Sequence, residues 1–160
     1  MFKIFAVLAA FSAMSAHANP TPGSFATFDI TAYVDGQELR GSSRQEVLQF
    51  DGERNEFLER QTDSMKGEPT EVLERWRAAS EYIGTERVES ILATCIERGG
   101  SLQIVNTPTA SFNACALDFP REDGLEIAYV ANVPFGLVRL ETIRNSDGAI
   151  IILALNHYQL

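Results

Sequence analysis

TERVESILATCIERGG, residues 85–100, is the stretch on which the fold turns. Val88, Ile91, Leu92, Cys95 and Ile96 recur at helical spacing and form one apolar stripe, with Glu86 and Glu89 on the wet side. Thr85 is a good N-cap. Glu86 near the start and Arg98 near the end suit the helix dipole, and Gly99-Gly100 is a natural stop. The spacing therefore predicts a helix that carries Cys95 on its buried face, within reach of a neighbouring strand.

Upstream, residues 27–34 alternate. Phe28, Ile30, Ala32 and Val34 share one parity and Thr27, Asp29, Thr31 and Tyr33 the other, the pattern of a half-buried strand. Asp35-Gly36, Asp51-Gly52 and Asp147-Gly148 are hairpin signals. They set off further strands at 42–50 and 53–62, whose poorer alternation places them near an edge or exposed on one side. Residues 69–79 change character: Val72, Leu73, Trp76 and Ala79 have helical spacing and Glu71-Arg75 an i,i+4 pairing, which predicts a first helix. Downstream, strand patterns return at 102–105, 110–117, 126–133, 137–143 and 149–158. The last is apolar on both parities and belongs in the middle of a sheet. Strands, one or two helices, then strands again make an α+β fold: a curved, mainly antiparallel sheet with the helices on one face.

Residues 1–18 read as a cleavable export signal. Lys3 leads an apolar run at 4–14, and Ala16-His17-Ala18 fits the cleavage pattern. The run is shorter than the roughly 20 apolar residues a spanning helix needs. Residues 19–160 then form one domain. Export means the periplasm or the exterior, an oxidising compartment where an isolated pair of cysteines usually bridges. Cys95 and Cys115 are the only two, and closing their loop is worth roughly 3 kcal/mol in the chain-entropy model. Two buried free thiols are the alternative. The formal net charge is −9, one unit more negative without Lys3. Such a chain is repelled by nucleic acid and by anionic lipid.

The signals for catalysis are thin. Without the signal segment the sole histidine is His157, beside the end of the last strand and with no motif partner. One histidine and a bridged cysteine pair cannot make a zinc set, and no cofactor motif is present. Residues 51–56 resemble a calcium loop only loosely: Glu56 stands where glycine is required and Arg54 brings positive charge, so a turn explains them better. Acidic residues are plentiful, which leaves a carboxylate-pair hydrolase open. Gly99-Gly100 ends a helix and is not followed by the Lys of a phosphate loop. Trp76 is a candidate anchor, although its place on an apolar stripe favours packing.

Around the cysteines the sequence resembles a group of small exported bacterial proteins. Cys95 and Gly99-Gly100, then Thr107-Pro108-Thr109-Ala110-Ser111-Phe112 running to Cys115, then Val133-Pro134-Phe135-Gly136 carry the likeness over roughly the last 70 residues. It departs at Thr109-Ala110-Ser111, where Ala-Gly-Thr is usual. The group is distantly similar to periplasmic lipoprotein carriers, whose curved sheet holds acyl chains against helices. This resemblance implies a non-enzymatic envelope module that binds a hydrophobic ligand or an envelope protein between sheet and helix. Trp76, Phe112, Tyr129, Phe135 and Leu137 are the candidate lining residues. A hydrolase using paired carboxylates and a structural or inhibitory protein using a sheet edge are the alternatives.

Overall fold

A computed structural model of the chain describes residues 21–159 apart from 83 and 134. The export signal read over 1–18 lies outside the described residues, as does Pro134. The elements run β1 (Phe25–Val34), β2 (Gln37–Asp51), β3 (Glu56–Met65), β4 (Glu71–Ala78), a 3-10 turn (Ala79–Glu81), α1 (Thr85–Ala93), β5 (Ser101–Asn106), β6 (Ser111–Arg121), β7 (Gly124–Val130), β8 (Leu137–Arg144) and β9 (Ile150–Gln159). Alternation in β1 buries Ala26, Phe28, Ile30, Ala32 and Val34 on one side, as the pattern predicts.

The strands form one open sheet in the order β4-β3-β2-β1-β9-β8-β7-β6-β5, antiparallel at every pairing. Two meanders, β1 to β4 and β5 to β9, meet where the first strand pairs with the last. Ile30 lies opposite Leu153 and Ala32 opposite Ile151. The central place of β9 matches its two-sided apolar sequence. At Asp35-Gly36 both residues have positive φ, 51° and 75°, as a two-residue hairpin turn requires. Asp51 accepts hydrogen bonds from the Glu53 and Arg54 amides at 3.0 and 3.1 Å, so its carboxylate shapes a turn.

The sheet curls. Two strands separate β6 from β9, which in a flat sheet puts them about 14 Å apart. Yet the Thr109 hydroxyl, at the tip of the β5–β6 hairpin, donates to the Asn156 carbonyl on β9. The Phe112 and Tyr158 rings approach to 6.5 Å. On the inner face α1 covers β6 and β7: Val88, Ile91 and Leu92 pack with Cys95, Cys115, Leu117 and Val130.

Residues 69–79 correct the expected first helix, leaving α1 as the one α-helix among the described residues. Residues 71–78 form an edge strand because alternate positions have partners across the ladder. Arg75 and Arg77 reach inward to Glu59, and Glu74 pairs with Arg60 at 2.7 Å. These cross-strand contacts outweigh the local i,i+4 pairing of Glu71 with Arg75, worth only about 0.2–0.5 kcal/mol.

Cys95 and Cys115 are disulfide-bonded with Cα atoms 5.7 Å apart. α1 is capped by Gly84 rather than Thr85 and ends at Ala93, short of the expected stop at Gly99-Gly100, so Cys95 and the exposed Ile96 lie in the turns beyond it. The bond fastens those turns to β6. Gly100 lets the chain pass close by: a Cβ there would meet Ala116 O at 2.7 Å and Cys115 Sγ at 3.0 Å. Replacing Cys95 and Cys115 together with Ala is expected to lower unfolding free energy in urea by about 3 kcal/mol. Gly100→Ala should destabilise the protein with the disulfide intact. An unchanged urea midpoint in both variants would contradict this account.

Candidate functional site

The inner face changes chemistry along the sheet. On β8, β9 and β1 it is aliphatic: Leu140, Leu153, Leu155 and Ile30 are all buried. On β2 and β3 it turns polar. Ser43, Gln45 and Val47 of β2 stand opposite Asp63, Gln61 and Glu59 of β3, and Arg75 of β4 comes next. Phe28, opposite Ser43, marks the boundary.

Glu59 is fully buried. Its carboxylate accepts from Gln45 Nε2 at 2.7 Å, Arg75 Nη2 at 3.1 Å, Arg77 Nη1 at 3.3 Å and the Tyr82 hydroxyl at 3.0 Å. A carboxylate taken out of water persists only when its charge is met and its lone pairs are used, and here four donors do so. Arg77 also donates to Glu81 at 3.0 Å and stacks over the Tyr82 ring, which meets Phe57 edge-on. The cluster thus fixes the start of the crossing from β4 to α1 onto the sheet. Burial, and next the Glu59 charge, push the Tyr82 hydroxyl pKa well above its usual value.

Asp63 forms a second buried centre. It accepts from Ser43 Oγ at 2.5 Å and Gln61 Nε2 at 2.8 Å. Burial raises its carboxyl pKa; those two hydrogen bonds pull it down and Glu71 opposite pushes it up. Phe28, Ser43, Gln45 and Gln61 enclose a hole of about 10 Å³, room for one water.

Of the five residues expected to line a groove, four belong to or pack against the main core, and Trp76 stands apart. Trp76 alternates with Arg75 and Arg77 and points to the opposite side of the sheet, where Arg54 lies over its ring at 5.6 Å. Tyr129 alternates with the buried Ala128 and Val130, donates to Glu141 and carries Arg139 over its ring. Phe135 and Leu137 are buried in the main core, and Phe112 and Tyr129 pack against it. Phe135 has φ 62° in the connection from β7 to β8, a strained conformation for a bulky residue. The structure brings together a different set: Ser43, Gln45, Glu59, Gln61, Asp63, Arg75, Arg77 and Tyr82. The sequence carried one sign of it, polar residues at strand spacing on β2 and β3.

No family model and no curated protein matches the sequence. Among solved structures the chain is similar to a Bacteroides fragilis protein described as exported and of YmcC-like fold. The identity is 11% and the TM-score 0.53, over 90% of this chain and 99% of that one. The chain shares that fold, and the likeness agrees with the exported-protein resemblance at the level of fold. A Parabacteroides distasonis protein described as a lipoprotein gives 10% identity and a TM-score of 0.45 over 89% and 97% of the two chains. The Pseudomonas aeruginosa MucA/MucB complex gives 10% and 0.45 over 86% of this chain; the chain spans 51% of that one. Among the described residues no helix is long and apolar enough to cross a membrane.

Two substitutions test the polar centres. Glu59→Leu removes the carboxylate facing Arg75 and Arg77 and should cost about 3–5 kcal/mol in urea unfolding. A cost below about 1 kcal/mol would show the network to be dispensable. Asp63 has a folded-state pKa above its ordinary 3.8. Its contribution to stability is therefore full below that value and is lost as pH rises through the folded value. Asp63→Asn should raise the Tm at neutral pH and lose that advantage in acid. A variant less stable than the parent at pH 7 would refute this.

Proposed function

We propose that the protein is a non-enzymatic binding module of the cell envelope, periplasmic or secreted. It holds the apolar part of a ligand or partner segment between sheet and helix. The observation that supports this reading is the division of the inner face. An aliphatic floor on β8, β9 and β1 meets a polar wall of Ser43, Gln45, Gln61 and Asp63 at Phe28. Such a surface suits an amphiphile: a hydrocarbon segment ending in a hydrogen-bonding group. The hole at Phe28 takes one water, so on this reading ligand entry requires the face to open. A chain enters by displacing the crossing from β4 to β5, which the sheet holds through Tyr82, Val88, Ile91 and Leu92.

A second reading rests on one pair. Asp63, with its raised pKa, stands opposite Glu71 across β3 and β4, where directly opposed Cβ atoms lie about 5 Å apart. A carboxylate-pair hydrolase needs two carboxyl groups about 5–9.5 Å apart, and this register brings two onto one face as neighbours. Ser43 and Gln61 already occupy both oxygens of Asp63, which favours the binding reading.

The test is fluorescence titration of delipidated protein with a dansyl-labelled undecanoic acid. Saturable binding in the range of about 1 μM is expected, weakened about tenfold when Gln45 and Gln61 are both replaced by Ala. Absence of saturable binding, or equal affinity in the double variant, would overturn the proposal.

A further inference from the structure

The two edges of the sheet differ. β4 presents Glu71, Glu74, Arg75 and Arg77 within eight residues, and charge on an edge discourages further pairing. β5, SLQIVN, carries no charge. The uncharged stretch runs through residues 99–117, in a chain of net charge −9. Leu102 and Ile104 are 58% and 70% exposed, and Ile96 is 67% exposed. Leu102, Gln103, Ile104, Asn113 and Ala114 line an open recess of about 330 Å³ along this edge.

The hydrogen-bonding groups of the edge follow from the hairpin. The Thr107 amide donates to Ala110 O at 2.9 Å. In an antiparallel ladder bonded and non-bonded pairs alternate. Val105 and Gln103 therefore turn their amides toward β6, opposite Phe112 and Ala114. Leu102, Ile104 and Asn106 turn theirs outward.

We propose that β5 is a self-association edge. A second copy adds its own β5 antiparallel about a two-fold axis through Gln103, joining two sheets into one. Only this centre sets both aliphatic side chains against aliphatic partners on a shared face: Leu102 against Ile104 of the partner subunit, and the reverse. A centre at Ile104 would put Leu102 against Asn106, and a centre at Leu102 would put Ile104 against Gly100. Leu102 and Ile104 are also the residues with outward amides, so side-chain and backbone matching coincide. The neutral stretch lets two acidic chains approach without like charges facing each other. A strand from a different protein would need a charged handle for selection, and this edge carries no charge, its polar groups being the neutral Ser101, Gln103 and Asn106.

Sedimentation velocity from about 10 μM to about 1 mM should show the mass rising toward two chains, since a single-strand interface lies at the small end of stable contacts. Ile104→Pro removes an outward donor, a change an edge strand tolerates, and should keep the chain single throughout. Gln103 faces its own copy in a non-hydrogen-bonded pair with Cα atoms about 4.5 Å apart, within disulfide range. Gln103→Cys should therefore form a covalent dimer on air oxidation, and Val72→Cys on the β4 edge should not. A single-chain mass at the highest concentration would overturn the proposal. So would dimerisation of Ile104→Pro equal to the parent, equal crosslinking at Val72, or protection of β5 amides that appears only when another protein is added.

Discussion

The ladder between β1 and β9 makes two meanders into one sheet. Without it, β1 to β4 would be a mostly polar ribbon and β5 to β9 an apolar one. With it, the aliphatic floor of β8, β9 and β1 is continuous with the polar wall of β2 and β3. The pairing joins residues some 125 positions apart in sequence, so its closure entropy must be met by burial. Ile30, Ile151, Leu153 and Leu155 supply that burial.

That topology leaves β4 and β5, consecutive strands, on opposite edges. A flat sheet of nine strands would hold them about 38 Å apart, while α1 spans only about 14 Å of the crossing. Curvature shortens the path, and fixed points hold the crossing at both ends. The Glu59 cluster grips it through Tyr82 and Glu81, by way of Arg77, and the disulfide grips it at Cys95. Between them the crossing rests on the sheet through the apolar stripe of α1, the part of the structure best placed to lift.

Much of this was legible in the sequence where the signals are local. The Asp-Gly turns, the alternation of β1, the Val88, Ile91 and Leu92 part of the α1 stripe and the central place of β9 each follow from a few neighbouring residues, while the cysteine bridge follows from the compartment expected of the chain. Residues 71–78 read locally as a helix because Val72, Leu73 and Trp76 satisfy a helical spacing, while the partners that make them a strand lie on β3. The polar centres were illegible for the same reason. Polar residues at 43, 45, 59, 61 and 63 look like a solvent-facing parity. Glu59 is buried only because Arg75, Arg77 and Tyr82 arrive from 16 to 23 residues further on. Trp76 and Tyr129 read as lining residues because they are aromatic, yet Trp76 lies on the opposite side of the sheet from Arg75 and Arg77, and each ring has an arginine over it.

If one amphiphile spans the joined face, its contacts must cross the β1–β9 ladder. Amide chemical-shift mapping with unlabelled fatty acid tests this most directly. The account predicts shifts at Ser43, Gln45 and Gln61 together with Leu140, Leu153 and Leu155, rising with one common dissociation constant. Shifts confined to one meander, or restricted to the β5 edge, would contradict it.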